Sequence, residues 1–444
     1  MVSKQITKFE KSLLLIFFFE LFAGGGGRLL AVGPLSIRQI LFFLVMAVFF
    51  IRFCLNVDSR NEILSYFKKP TTAVFWLSVS MLLWIMVSTA IGFLHHHPTG
   101  DVLRDTFRVI FVVAVIPLIY YLGKNRFTLA DFVKVLFIAS IVVSLLTITI
   151  SLIGKFQTDR QFYFFYKDIN KIFPGDLFFR PSRGVFYKSH FLVLFTMIIS
   201  SVMLMDKKIN YFYVTTLGIN AISIILSETR GLFLGYFVGL LIYVIVRAVI
   251  ARWGKEKFLW PKKIAIKRII FLVMACGLTF YFYGHSTVAR FSQPGGDIPE
   301  YQKENEEDTI KDISMNIRND LMKASIKIIK KSKVGLVVGN GYGTKIGKRT
   351  TGIEMSFVDI LVEQGVIGVL AWLLFTLLPL FYYFKSFLRT GSLASINIGL
   401  LACTISMLLV TNINPFLNSP IGLGFLIPVI VYAYKLSINS KETA

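Results

Sequence analysis

Long apolar runs recur from one end of this chain to the other, joined mostly by short connectors rich in lysine and arginine. A backbone that crosses lipid must satisfy its own N–H and C=O groups, and a helix of about 20 mostly apolar residues does so. Few stretches alternate as strands do, so the pattern selects membrane helices over a barrel. Composition agrees: of 444 residues, 55% are hydrophobic and 15% aromatic, while only 16% are charged. That is too apolar for a soluble domain of this length.

Apolar runs bounded by charges predict about twelve spans. Their cores run Leu13 to Ala23, Ile37 to Phe53, Ala73 to Leu94, Phe107 to Leu122, Phe132 to Ile153, Phe191 to Met205, Tyr211 to Leu226, Gly231 to Val246, Ile269 to Tyr283, Phe357 to Phe384, Leu393 to Val410 and Ile421 to Tyr434. The expected fold is an all-α polytopic membrane protein with one large extracytoplasmic loop. Its parts are 1–284 with nine spans, the loop 285–356, and 357–444 with three more. Met1 to Lys11 is basic and precedes an apolar stretch, as in a signal peptide, but no small-residue cleavage site follows, so a retained first helix is expected.

The net charge of +23 raises the question of nucleic acid, but the basic residues sit in connectors between spans. Such placement is a topology signal, and no nucleic-acid partner is expected. Arg60, Lys68 and Lys69, then Lys207 and Lys208, then the group from Arg252 to Arg268 alternate with poorly basic turns such as 95–98 and 412–415. The positive-inside rule puts both termini in the cytoplasm. The segment Lys155 to Arg183, the turn Ser227-Glu228-Thr229-Arg230 and the loop His285 to Glu354 then face outward. Within that loop, Glu304, Glu306, Glu307, Asp308, Lys311 and Asp312 form a charged start. Met315 to Lys331 follows with Met315, Met322, Ile326 and Ile329 near helical spacing beside basic residues, predicting an amphipathic helix on the outer surface.

Cys54, Cys276 and Cys403 all lie in apolar runs, which leaves no disulfide framework and no metal-ligand spacing. Three adjacent histidines, His95 to His97, without a distant acid or cysteine partner read as a polar loop rather than a metal site. His190 and His285 stand alone near span ends, which suits an interfacial position. The spans themselves carry few charges, mainly Glu20 and Lys134.

Chemistry is expected at the outward mouth. Arg180 and Arg183 precede the sixth span, Arg230 opens the eighth, and Gly339-Asn340-Gly341-Tyr342-Gly343 with Glu354 precedes the tenth. Guanidinium groups stay charged and donate several hydrogen bonds in a fixed fork, which suits a pyrophosphate. A carboxylate beside them suits general-base work on a hydroxyl. Arg104 and Arg108, one turn apart at the mouth of the fourth span, are secondary phosphate contacts on this reading. The glycine run lacks the Lys-Ser/Thr ending of a nucleotide loop and is expected to make a tight turn.

Ser227-Glu228-Thr229-Arg230-Gly231-Leu232-Phe233-Leu234, the helix with Arg318 and Ala324, the Gly339 to Gly343 turn, and Glu354-Met355-Ser356-Phe357 leading into Glu363-Gln364-Gly365-Val366-Ile367-Gly368 together resemble the O-antigen ligase and polymerase superfamily. The resemblance covers the second half of the chain, from near Arg180 to near Trp372. It implies a GT-C-like integral glycosyltransferase of the bacterial inner membrane with a periplasmic active site. Such an enzyme moves an oligosaccharide from undecaprenyl pyrophosphate to an acceptor hydroxyl without nucleotide sugar, cofactor or obligatory metal. The resemblance assigns Arg230 to the donor pyrophosphate, Arg180 or Arg183 to the upstream arginine motif, and Arg318, Gly339, Gly341 and Tyr342 to substrate contact. Ligases carry a histidine followed by asparagine where this chain has Glu354-Met355, and a carboxylate there looks more like some polysaccharide polymerases. The expected function is therefore polymerisation of lipid-linked repeats, with membrane lipid as surroundings and a chain-length regulator left open as a partner. Transfer of finished glycan to lipid A core is the runner-up. Transport of an anionic lipid or solute is the alternative of another class.

Overall fold

The computed structural model describes residues 5–27, 31–32, 35–68, 73–173, 175–206, 209–254, 262–286, 313–349 and 352–438. The acidic stretch from Glu304 to Asp312 lies outside them. In chain order the helices are α1 Lys8–Ala23, α2 Ile37–Leu55, α3 Val57–Lys68, α4 Ala73–Leu94, α5 Thr99–Val109, α6 Val115–Tyr121, α7 Leu129–Lys155, α8 Asp159–Ile172, α9 His190–Asp206, α10 Tyr211–Ser227, α11 Arg230–Trp253 and α12 Lys262–His285. Then come α13 Ile313–Lys331, α14 Lys333–Val338, α15 Ser356–Thr390, α16 Ser395–Val410 and α17 Pro420–Ile438. Strands among the described residues are limited to two short antiparallel pairs, the second joining Leu177–Phe179 to Val185–Tyr187.

The chain is a multi-pass, predominantly helical membrane protein. Among the described residues, seven helices (α2, α4, α7, α11, α12, α15 and α17) are long and apolar enough to cross a bilayer, and α9, α10 and α16 are shorter apolar helices. The apolar window of α17 is 83% buried and that of α12 only 11%, so α17 runs through the middle of the bundle while α12 stands at its rim. Local chemistry sets several starts. Thr7 with Glu10, Ser36 with Gln39, Thr128 with Asp131 and Thr158 with Gln161 form reciprocal capping boxes at α1, α2, α7 and α8, each satisfying two amide donors that a helix leaves open.

Two expected spans look different. The first is the 16-residue α1, whose Leu14, Phe17, Phe18 and Leu21 are buried and whose Glu20 pairs with Arg38 at 3.0 Å. The fourth is broken: α5 passes through a 3₁₀ turn, Ile110–Ala114, into the seven-residue α6. The expectation that charge within spans is mainly Glu20 and Lys134 needs correcting, because Asp359 and Glu363 lie buried within α15 and Arg247 within α11.

Helix α15 is itself interrupted. Gly365 takes φ 66° and ψ −170°, which no ordinary helical residue adopts. A break inside an apolar helix frees carbonyls that lipid cannot satisfy. Here each finds a donor: Asn340 N–H donates to Val362 O at 2.9 Å, Gly341 N–H to Glu363 O at 2.9 Å, and the Trp84 indole to Gln364 O at 3.0 Å. The glycine-rich turn thus serves as the cap of a broken helix.

Candidate functional site

The turn following α14 is held from two sides. Gly339, Gly341 and Gly343 all have positive φ, 89°, 85° and 75°, the left-handed region open to glycine at little cost. On one side it caps the break in α15. On the other it lies against α4, with Tyr342 N–H donating to Ser88 O at 3.1 Å and the Nδ1 atoms of His95 and His97 within 3.0 Å and 2.8 Å of the Asn340 and Tyr342 carbonyls. The histidine run is therefore a clasp on the glycine turn. The Tyr342 side chain is fully buried and its hydroxyl has no hydrogen-bond partner among the described residues. Burial first, and the nearby Glu363 carboxylate second, push its phenol well above the ordinary range, so it stays neutral.

Beneath this turn Arg108 sits in a cage of acids. Its Nη2 lies 2.9 Å from Asp359, 3.5 Å from Asp105 and 3.7 Å from Glu363. Asp359 also accepts from Asn418 Nδ2 at 2.8 Å and from the Ile353 amide at 3.2 Å. Asp105 accepts the Gly343 amide at 3.2 Å. The cage thus fixes both the glycine turn and the backbone next to Glu354. Three carboxylates already meet the charge of Arg108. Arg104, by contrast, is exposed and faces Asp101 at 3.6 Å, so the two arginines do not act as a pair.

Glu354 stands just before α15. Its carboxylate is bracketed by Arg318 Nε at 3.3 Å and Arg349 Nη2 at 3.1 Å. Glu354 is 14% exposed, Arg318 22% and Arg349 36%, so the group opens to solvent on the Arg349 side. The amphipathic helix expected over Met315 to Lys331 is α13, and it packs through Leu321, Ala324, Ile328 and Ile329 onto Ile346, Ile353, Met355 and Val362. Met322 and Ile326, assigned to its apolar face from spacing, are exposed instead. The small core orients Arg318 toward Glu354.

Arg318 also donates to Ile413 O at 3.2 Å. Ile413 is the link to Arg230, because a Cβ added to the adjacent Gly231 would lie only 2.9 Å from the Ile413 side chain. Ser356 N–H donates to Thr411 O at 3.1 Å, which ties the start of α15 to the same turn. Arg230 and Glu354 therefore share one end of the helix array. The Arg230 guanidinium lies 5.8 Å from the Tyr283 ring centre and donates to Ser286 O at 2.9 Å.

Arg180 and Arg183 part company. Arg180 donates to Ser227 O and to Thr229 Oγ1, both at 3.1 Å, beside the residue that opens α11. Between them Glu228 takes a left-handed φ of 49° and pairs with Ser182. Arg183, itself at φ 64°, turns away toward the end of α7, where it donates to Gly154 O at 2.8 Å and to Gln157 O, pairs with Asp159 and covers the Phe162 ring. Arg183 serves the α7–α8 junction, whereas Arg180 lies at the rim with Arg230.

Directly below Arg230 an apolar groove opens between α10, α11 and α12. Its volume is about 220 Å³, and Ile224, Phe233, Tyr236, Leu278 and Phe282 line it. Phe233 is one turn from Arg230 along α11. Sequence reading missed Arg349 and the cage acids. Asp359 and Glu363 did carry a signal, two acids one turn apart in an otherwise apolar run, and such residues usually mark internal pairing or a site. Compared with known proteins, the chain matches no family model and no curated protein sequence.

Proposed function

We propose that this protein is a membrane glycosyltransferase that polymerises oligosaccharide repeats carried on a polyprenyl pyrophosphate, working at the end of the bundle that Arg230 and Glu354 share. One arrangement carries the reading: Glu354 held between Arg318 and Arg349, on the same rim as Arg230 and Arg180, above an apolar groove that begins one turn below Arg230. A diphosphate on a long hydrocarbon tail has the matching form, an anionic head at a rim of guanidinium groups with apolar chain beneath. On this reading the fold is a twelve-span, GT-C-like bundle with the short α1 and the broken α5–α6 counted as spans. The rim faces the periplasm of a bacterial inner membrane, and both termini face the cytoplasm.

The chemistry follows from the charges. An arriving diphosphate offers Arg318 and Arg349 a second anion, which loosens their hold on Glu354. The freed carboxylate oxygen accepts the proton of an acceptor sugar hydroxyl as that oxygen attacks the anomeric carbon. The glycosidic oxygen leaves with the polyprenyl diphosphate, its new charge met by Arg230 and Arg180. A positioned donor to a developing anion contributes about 3 to 4 kcal/mol, equivalent to a factor of about 10² to 10³ in rate.

The test is extension of lipid-linked repeats by purified protein in liposomes. Arg230→Ala should slow it by about a hundredfold or more, and Glu354→Gln, which removes the general base, should slow it by about 10² to 10⁴. Wild-type rates in both variants would refute the proposal. Single transfers to a lipid A acceptor, with no growth in chain length, would replace polymerase by ligase. Movement of lipid-linked glycan across the membrane with unchanged length would point to a transporter.

A further inference from the structure

The three acids around Arg108 outnumber its charge, and hydrogen-bond donors are shared unequally among them. Asp105 and Asp359 are 0% exposed and Glu363 2%. Among the described residues, Arg108 is the one cation within ion-pair distance of any of the three. Asp359 is well supplied: Arg108 and Asn418 donate to its Oδ2 and the Ile353 amide to its Oδ1. Asp105 Oδ2 accepts the Gly343 amide, but its buried Oδ1 has no hydrogen-bond partner among the described residues. Glu363 is worse placed, because Arg108 Nη2 stands 3.7 Å from its Oε2, beyond hydrogen-bond length. The Glu363 and Asp105 carboxyls are within hydrogen-bonding reach of each other. Beside them lies the Tyr342 hydroxyl, fully buried and likewise without a partner among the described residues.

Two ionised carboxyls that face each other away from water are strongly unfavourable, and such a pair takes up a cation. A hard metal ion needs about six oxygen ligands or more. Here both Asp359 oxygens and Asp105 Oδ2 already accept from N–H groups, which leaves too few oxygens to surround a metal. A proton needs one oxygen to carry it and one to accept from it, and Glu363 and the unpartnered Asp105 Oδ1 are such a pair. Arg108 is 19% exposed, so a proton has a path from solvent. Other ionisable groups on the surrounding elements are engaged elsewhere. On α5 Arg104 faces Asp101, at the end of α4 His95 and His97 meet carbonyls of the glycine turn, and before α15 Arg349 faces Glu354.

We propose that the Arg108 cage is a binding site for a single proton, carried on Glu363 and hydrogen-bonded to Asp105 Oδ1. Asp105 then remains a carboxylate that accepts the Gly343 amide and so holds the glycine turn. The inference does not depend on the proposed activity, because it is read by spectroscopy and by unfolding. Infrared spectra of the purified protein at neutral pH, in water and in deuterium oxide, should show the C=O stretch of a protonated carboxylic acid in wild type. Glu363→Gln should lack that band, and Asp105→Asn, which removes the accepting carboxylate, should move or abolish it. In the unfolded chain Glu363 ionises above about pH 4.3, whereas the native cage keeps its proton. The native state thus binds one proton more, and its folding equilibrium declines about tenfold per unit of pH above that value. The wild-type unfolding midpoint should therefore fall relative to that of Glu363→Gln from about pH 5 to about pH 8. A wild-type spectrum without the acid band would overturn the proposal, as would a band unchanged in both variants or midpoints that run parallel across that range. A midpoint raised by sodium chloride over choline chloride in wild type but not in Glu363→Gln would overturn it too, by making the site a metal ion's. Where Glu363→Gln does not fold, the spectra of wild type and Asp105→Asn decide the matter.

Discussion

Gly341→Ala should be among the most damaging single-methyl changes in this protein, and its cost can be assembled from parts. The first part is backbone conformation. At φ 85° an L-residue with a Cβ pays roughly 1 to 2 kcal/mol. The second is collision: the added carbon would meet the backbone of Gly92 and Ile91 in α4. A helix backbone cannot swing aside as a side-chain tip does, and forced overpacking costs about 1 to 3 kcal/mol. Together they give roughly 2 to 5 kcal/mol. Two controls separate the parts. Gly347 has φ 61° but its nearest neighbour to an added Cβ is Leu321 Cδ2 at 3.8 Å, so Gly347→Ala carries the conformational part alone. Gly100, near the start of α5, has nothing within 4 Å, and Gly100→Ala should be neutral or stabilise by up to about 1 kcal/mol. Unfolding midpoints of the purified proteins in one detergent should rank Gly100→Ala at or above wild type, then Gly347→Ala, then Gly341→Ala well below. A Gly341→Ala midpoint equal to that of Gly347→Ala would refute the close packing of the glycine turn on α4.

Three other outcomes follow from the site. Arg180→Ala should raise the concentration of lipid-linked donor needed for half-maximal rate and also lower the unfolding midpoint, because it loses the bonds to Ser227 O and Thr229 Oγ1. Arg183→Ala should lower the midpoint by loosening the α7–α8 junction and spare the donor dependence, as steady-state kinetics on both variants will tell. Asp359→Asn should destabilise by about 1.5 to 3 kcal/mol, below the 3 to 5 expected for a lone buried pair because Asp105 and Glu363 still face Arg108. Hydrogen exchange in residues 352–358 should accelerate, since Asp359 holds the Ile353 amide. Tyr342→Phe removes a buried hydroxyl that has no partner among the described residues, so the midpoint should hold or rise by up to about 1 kcal/mol. A large loss of activity in Tyr342→Phe with intact stability would instead put that hydroxyl against substrate.

The helical membrane class was legible because lipid imposes it residue by residue: an apolar run of sufficient length has no other way to satisfy its amides. Arg230 was conspicuous for the same reason, as a cation at the edge of such a run. The cage around Arg108 was not, because its members come from positions 105, 108, 359 and 363 and only packing of α5 on α15 makes them neighbours. Glu354 was picked out, but its company was not. Arg349 sits in a basic stretch with Lys345 and Lys348, and nothing in that stretch says which cation turns inward. The glycine turn was read correctly as backbone geometry, yet its purpose depends on a break at Gly365 more than twenty residues later.

By itself the sequence determined what each segment must avoid: exposed backbone in lipid, unpaired charge in a span, a Cβ where φ is positive. These are local penalties, and each can be read at a single position or along a single turn of helix. Tertiary structure alone decided which carboxylate meets which guanidinium, which of Arg180 and Arg183 stands at the rim, and where the α10–α12 cleft stays open. Those outcomes depend on distances of a few ångströms between residues far apart in the chain, and Coulomb and hydrogen-bond energies become decisive only at that range.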